Sequence, residues 1–351
     1  MAEALRPARP PVGVSGADER RSGALPTTRD RRRYVVLVGA LAVAAVLVAA
    51  AMVGWDNPMP VGSEGFWRIA ELRVTSLVVV VVVAFCQALG TVAFQTVTAN
   101  RILTPSIMGF EALYRLVQTA AVSVLGVAGL ALVQGVGQYV LQVVLMVAFA
   151  GLLYGWLFTG RLANLHVMLL VGIVLGGGMG ALASYLQRLL SPTEFDLLTA
   201  RLIGSVANAD ATYLGVAVPL AAAAGGVLWW RARDLDVLAL GRDVAVGLGV
   251  DHRRRSLVVL LLVSVLMAVS TSLVGPMTFF GFLTAMIAYQ VTGTYGHRQV
   301  LPVAWLVGVV VLGGAYVVLK HVFYAAGSVG VLVEVVGGTF FLVHLLRKGR
   351  L

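Results

Sequence analysis

The chain is punctuated by apolar runs of about 20 residues, the helix length that crosses a hydrocarbon core roughly 30 Å thick. They fall at 34–53, 74–97, 106–128, 138–159, 164–187, 212–231, 256–274, 277–294, 299–319 and 329–346. Composition agrees. Of 351 residues, 59% are hydrophobic and 12% charged, where an ordinary soluble domain is about a quarter charged. The expectation is an all-α integral membrane protein with ten transmembrane helices. Residues 1–33, rich in Pro, Gly, Ala and Arg and ending in RDRRRY, have no apolar periodicity and read as a disordered cytoplasmic tail. A cleaved signal peptide over 1–53 fits less well, because its apolar run would exceed the usual length of about 7–15 residues.

The formal net charge is +10. The basic residues lie between the apolar runs, not on one soluble face, which argues against nucleic acid and for helix orientation. With both termini in the cytoplasm, 20 Lys and Arg fall in cytoplasmic segments, including a basic end at 347–351. Five fall outside (Arg68, Arg73, Arg188, Arg201 and Lys320), and Arg115 lies within a span. Without the tail the split is still 12 to five. Cys86, the single cysteine, offers neither a disulfide nor a metal pair. The histidines at 166, 252, 297, 321 and 344 lack ligand spacing, so neither a metal nor a cofactor is expected. The glycine patches GGGMG (176–180) and LGG (312–314) lie inside spans and read as packing faces. There is no GxxxxGK[ST] cradle for ATP, and no HExxH or nucleophile elbow for an enzyme in the bundle.

One polar segment interrupts the apolar pattern. Residues 232–255 form the longest cytoplasmic loop after the tail, and 238–255 read LALGRDVAVGLGVDHRRR. Glycine punctuation predicts two short helices, near LDVLALG and at GRDVAVGLG. Leu235, Val237 and Leu238, then Val244, Val246 and Leu248, recur at near-helical spacing. Orienting a helix needs only the arginines, so these apolar side chains must pack on something, either the bundle or a soluble partner.

The segment LALGRDVAVGLGVDHRRRSLVVLLL resembles one found in iron–siderophore and cobalamin ABC importer permeases. Four further stretches agree in order: QALGTVAFQTVTANRILTPSIMGF (87–110), LLVGIVLGGGMGALASYLQ (169–187), VGPMTFFGFLTAMIA (274–288), and the pair HRQVLPVAWLVGVVVL (297–312) with VLVEVVGGTFFLVHLLRK (331–348). The likeness spans about 70–346, and ILTPSIMGFEALY is most similar to the ferric-chelate branch. Many relatives carry Pro-His where this chain has Thr284-Ala285, which argues against the vitamin branch. Many have a proline where it has Thr339, which implies a straighter last helix.

The resemblance implies a type II importer architecture. A second permease subunit, identical or paralogous, would pair with this one, and separate cytoplasmic ATPase subunits would supply the energy. An extracytoplasmic binding protein would deliver a ferric siderophore. Residues 235–250 would then be the coupling helices, with Leu238, Gly241, Arg242, Asp243, Val246, Gly247, Leu248 and Gly249 at the ATPase. The glycines would serve tight turns. Arg68, Arg73 and Arg201 would guide binding-protein docking. Gln95, Thr96, Asn100, Ser106, Gly109 and Phe110 would flank a path between the subunits. A prokaryotic cytoplasmic membrane and contact with lipid follow. Two alternatives stand beside this. One is a permease of the same kind for cobalamin or haem. The other is a proton- or ion-coupled secondary transporter using Glu111 and Glu334, because charge inside a membrane is a functional signal by default. Against the second, Glu111 and Arg115 lie four residues apart and can neutralise each other near the cytoplasmic face.

Overall fold

A computed structural model describes residues 23–56, 59–60, 62–133, 135–159, 165–207, 209–324 and 327–348. Residues 1–22 of the expected tail, Arg161 and residues 349–351 lie outside the described residues. The regular elements among the described residues are helices: α1 (Thr28–Gly54), α2 (Glu64–Val97), α3 (Phe110–Val133), α4 (Val136–Thr159), α5 (Leu165–Gln187), α6 (Pro192–Leu202), α7 (Leu214–Trp230), α8 (Ala232–Leu238), α9 (Arg242–Gly247), α10 (His252–Val274), α11 (Phe280–Thr292), α12 (His297–His321) and α13 (Val329–Lys348). The ten expected spans correspond to α1–α5, α7 and α10–α13. Seven described helices are long and apolar enough to cross a membrane, and α11 and α13 are shorter apolar helices. Helices suit this setting because their backbone groups are satisfied within the segment.

Helix starts follow side-chain capping. Thr27 Oγ1 accepts from the Asp30 N–H, Ser63 Oγ from the Phe66 N–H, and Asp251 Oδ1 from the Arg254 N–H. α6 was not expected, yet Ser191 and Glu194 form a capping box at its start. α2 begins ten residues before its apolar run, at Glu64, and ends with it at Val97. α3 begins later than expected. Pro105–Met108 form a 3-10 turn, and Gly109 at φ 92° breaks the path into the helix. A second break inside α3 occurs at Gly126, φ 62°.

α2 and α10 run through the middle of the bundle, with long stretches fully buried, and α4, α7, α11 and α12 pack around them. α1 lies outermost against α12, and α5 packs on α3. Gly176 fits against Gly109, so that glycine does serve packing; Gly177, Gly178 and Gly180 face open space. Gly313 likewise packs on Val48 and Met52, whereas Gly314 does not. Cys86 is buried. The end of the bundle opposite residues 232–255 is fastened by three glycines. The Gly330 N–H donates to the Gly204 carbonyl at 2.9 Å, Ser328 Oγ donates to the same oxygen, and Ser205 N–H donates to Val274 O at 2.9 Å. Gly204 Cα also touches Gly275, whose φ is +88°.

Candidate functional site

The polar loop separates into two unlike halves. α8 belongs to the bundle: Ala232, Leu235 and Leu238 are buried. Its acids tie it to neighbouring helices. Asp234 Oδ2 lies 2.6 Å from Arg255 Nη1 on α10 and 3.6 Å from Arg231. Asp236 Oδ1 accepts the His297 backbone N–H at 2.8 Å and Nδ1 at 2.7 Å. The other ring nitrogen, Nε2, lies 2.7 Å from Thr96 Oγ1 at the end of α2. An Asp236–His297–Thr96 chain therefore joins α8, α12 and α2. Partial burial pushes the Asp236 carboxyl up, but the hydrogen bonds from His297 outweigh it and hold the group below its ordinary value.

α9 is the opposite case. Ala245 alone is buried, and Leu240, Val244, Val246 and Leu248 are 57%, 48%, 57% and 60% exposed. Arg242 and Asp243 are also exposed. Gly241 (φ 90°) and Gly249 (φ 76°) bracket the helix in conformations that favour glycine. A hollow of about 410 Å³ beside α9 is lined by Arg242, Val246, Gly249 and His252, among others. Two corrections follow. Leu238 is buried against the bundle and offers no surface to a partner. Gly247 is an ordinary helical residue of α9 and serves no turn.

The residues expected along a path are mostly internal to this one chain. Gln95, Thr96, Ser106 and Phe110 are buried. Gln95 Nε2 donates to Arg101 O at 2.7 Å, and Thr96 Oγ1 donates to Val92 O at 2.8 Å. Gly109 is wedged against α5 at Gly172 and Gly176. Asn100 is exposed, and its Oδ1 accepts from the Ile102 N–H in a local turn. Beside it, the Arg101 guanidinium lies 4.7 Å from the Tyr289 ring centroid and 5.0 Å from that of Tyr295.

At the opposite end, Arg73 is not free for docking. Its guanidinium donates to the carbonyls of Val53, Trp55 and Asp56 at 3.1, 2.7 and 3.0 Å, closing the C-terminal end of α1. Arg68 is exposed. Arg201 lines a cavity of about 310 Å³ together with Tyr114, Gln118, Gln142 and Tyr213. Glu194 at the start of α6 is held below its usual carboxylate value by the Ser191 backbone and hydroxyl donors.

The expected Glu111–Arg115 pair is corrected in both place and partner. Glu111 is buried at this far end, beside the Gly204 junction, not near the loop end. Thr278 Oγ1 donates to Glu111 Oε2 at 2.7 Å and approaches Glu334 Oε1 at 3.4 Å. Arg115 shares the cavity of about 340 Å³ that these groups line, but no ion pair joins it to Glu111 among the described residues. Two glutamates 223 positions apart thus meet over one threonine, at the break between α10 and α11.

A profile of the FecCD transport family matches residues 34–347. The petrobactin import system permease protein FatC of Bacillus anthracis is 39% identical over 331 residues, 94% of each chain. The petrobactin import system permease protein YclO of Bacillus subtilis is 31% identical and covers 92% of this chain and 99% of its own. The Fe(3+) dicitrate transport system permease protein FecD of Escherichia coli is 28% identical, covering 82% of this chain and 87% of its own. Among solved structures, one described as an inward-facing, metal-chelate type ABC transporter superposes with a TM-score of 0.76 at 20% identity, covering 90% of this chain and 99% of that one.

Proposed function

We propose that this chain, which belongs to the FecCD transport family, is the permease subunit of an ATP-driven importer that carries a ferric siderophore across a prokaryotic cytoplasmic membrane. It is a transport subunit and not an enzyme, and ATP hydrolysis belongs to a separate chain. The observation that carries the coupling half of this reading is α9, an exposed apolar helix on a base tethered to three bundle helices. Leu240, Val244, Val246 and Leu248 would enter a cleft on the ATPase, with Arg242 and Asp243 at the rim. Burying several such side chains favours association, since each contributes about 1.5–3 kcal/mol when fully covered. The loop end would then face the cytoplasm, which the arginine distribution supports.

The first chelate to test is ferric petrobactin, because FatC and YclO are petrobactin import permeases. A binding protein would dock at the far end, where Arg68 is the exposed candidate and the half-buried Arg201 lines a cavity. A partner permease, identical or paralogous, would complete the path. The Glu111–Thr278–Glu334 cluster supports a second reading, coupling to protons. Radio-iron uptake separates the two. The Gly241→Pro/Asp243→Lys variant should insert normally yet lose uptake and stimulated ATP hydrolysis together, since proline cannot adopt the φ of 90° found at Gly241. Uptake that persists without an ATPase and collapses with the proton gradient would establish the second reading instead.

A further inference from the structure

Between the start of α1 and the end of α11 lies a cavity of about 700 Å³ that the transport reading leaves unused. Its walls come from Ala24–Pro26, the first turns of α1, and Val291–Gly293. Ala24 packs beside Gly296, which holds this segment over the α11–α12 connection. Tyr34 OH donates to Gln299 O at 3.2 Å, fixing the first turns of α1 against α12.

The lining has two zones. Arg29, Arg32 and Arg33 form one, and Val36, Leu37, Ala40 and Val291 form the other. From Arg33 to Ala40 is about 10 Å along a helix. The one acid in the lining, Asp30, is occupied in capping: its Oδ2 accepts from Thr27 Oγ1 at 2.7 Å. No ion pair neutralises the three arginines among the described residues.

We propose that this cavity binds an anionic phospholipid, its phosphate held by Arg29, Arg32 and Arg33 and an acyl chain lying along Val36, Leu37, Ala40 and Val291. Four features select this occupant. The change from cationic to apolar lining falls where the apolar run of α1 begins, which is the level of lipid headgroups. A free phosphate has no use for the apolar wall. Arginines that merely orient a helix need no cavity, whereas basic pockets between membrane helices suit anionic headgroups. The outer face of α1 exposes Val35, Val36, Val43, Val46 and Leu47, so lipid already surrounds the site. The bound lipid would bridge α1 and α11, which share few direct contacts.

The test uses the full-length protein in detergent, titrated with phosphatidylglycerol, phosphatidylcholine or inorganic phosphate. Native mass spectrometry counts the retained lipid, and the thermal midpoint reports binding to the folded state. Phosphatidylglycerol should be retained as one adduct and raise the midpoint, and the other two should do neither. Arg32→Gln should weaken retention about fivefold, and Arg32→Lys should keep most of it. Arg31→Gln removes the same charge from the same turn but outside the lining, and should leave retention unchanged. Equal losses in the Arg31 and Arg32 variants, equal retention of both lipids, or stabilisation by phosphate alone would each overturn the assignment. Should Arg32→Gln lower the midpoint without lipid, Arg29→Gln replaces it in the same comparison.

Discussion

Removing the Asp236 carboxylate should loosen the proposed coupling loop from the bundle without unfolding the bundle. One oxygen, Oδ1, accepts two donors from His297, the backbone N–H at 2.8 Å and Nδ1 at 2.7 Å. A hydrogen bond to a charged group contributes about 1.5–3 kcal/mol. Here both donors share one atom, and the side chain is 41% exposed, so water competes. Asp236→Ala should therefore cost about 2 kcal/mol, and Asp236→Asn, which keeps an acceptor, about 1 kcal/mol. Denaturant titration in micelles measures both. Combining Asp236→Ala with His297→Ala should show a coupling of about 1–2 kcal/mol. The carboxyl's ordinary value is 3.8, and its folded value is lower. Its stabilising contribution is then complete at neutral pH and fades as pH falls below that ordinary value, with no change from this group between pH 5 and 8. The functional readout is ATPase stimulation in proteoliposomes, which should drop in Asp236→Ala although insertion is normal. Strictly additive single effects, or undiminished stimulation in the alanine variant, would refute the tether.

Val244→Asp/Val246→Asp should leave the fold intact, because both side chains are exposed, and should weaken ATPase association at least tenfold in a pull-down titration. Gly204→Ala should destabilise by about 1–3 kcal/mol, because the added Cβ would lie 2.6 Å from the Pro276 carbonyl. Gly226→Ala, with open space around it, should not, and melting of the two variants in parallel checks the difference. Arg73→Gln should lower stability by about 1 kcal/mol, since it uncaps α1, and should leave binding-protein association unchanged; Arg68→Glu should slow that association and flatten its salt dependence, as read by surface plasmon resonance.

What the sequence revealed, and what it hid, follows from the range of each interaction. The ten apolar runs could be read because sustained hydrophobicity is a local signal, although only seven of the described helices are long and apolar enough to cross a membrane by themselves. α6 is amphipathic and short, but its SPTE capping box was legible and would have located its start. The late start of α3 traces to Pro105, which fixes its own φ locally, and to Gly109, whose left-handed backbone lies against Gly172 and Gly176 of α5. Leu238 and Val246 look alike by spacing, and only the docked position of α8 separates a core leucine from an exposed valine. The local signals for that docking were the acids Asp234 and Asp236, which a reading focused on the glycines passes over. Arg73 finds its carbonyls across a hairpin, and Glu111 meets Glu334 through a fold-wide junction. No spacing rule reaches either.

The tethers also decide where a push on α9 would go. α9 is bracketed by two glycines at positive φ, so it can tilt at low cost, while α8 is held by buried leucines and by both of its acids. In the proposed coupling, motion that reaches α8 would leave it through Asp234 to α10, through Asp236 to α12, and through His297 to Thr96 on α2. α2 and α10 are the most deeply buried helices, and α12 packs along α2. The peripheral α1 and α13 receive no tether from the loop among the described contacts. α10 then ends at Gly275, in the junction with Gly204 and Gly330 that frames the cavity holding Glu111 and Glu334. A loop fastened only to α7 would flex without moving the core. This one is fastened to α10, α12 and α2, so under the proposed coupling its displacement would act on the most deeply buried helices.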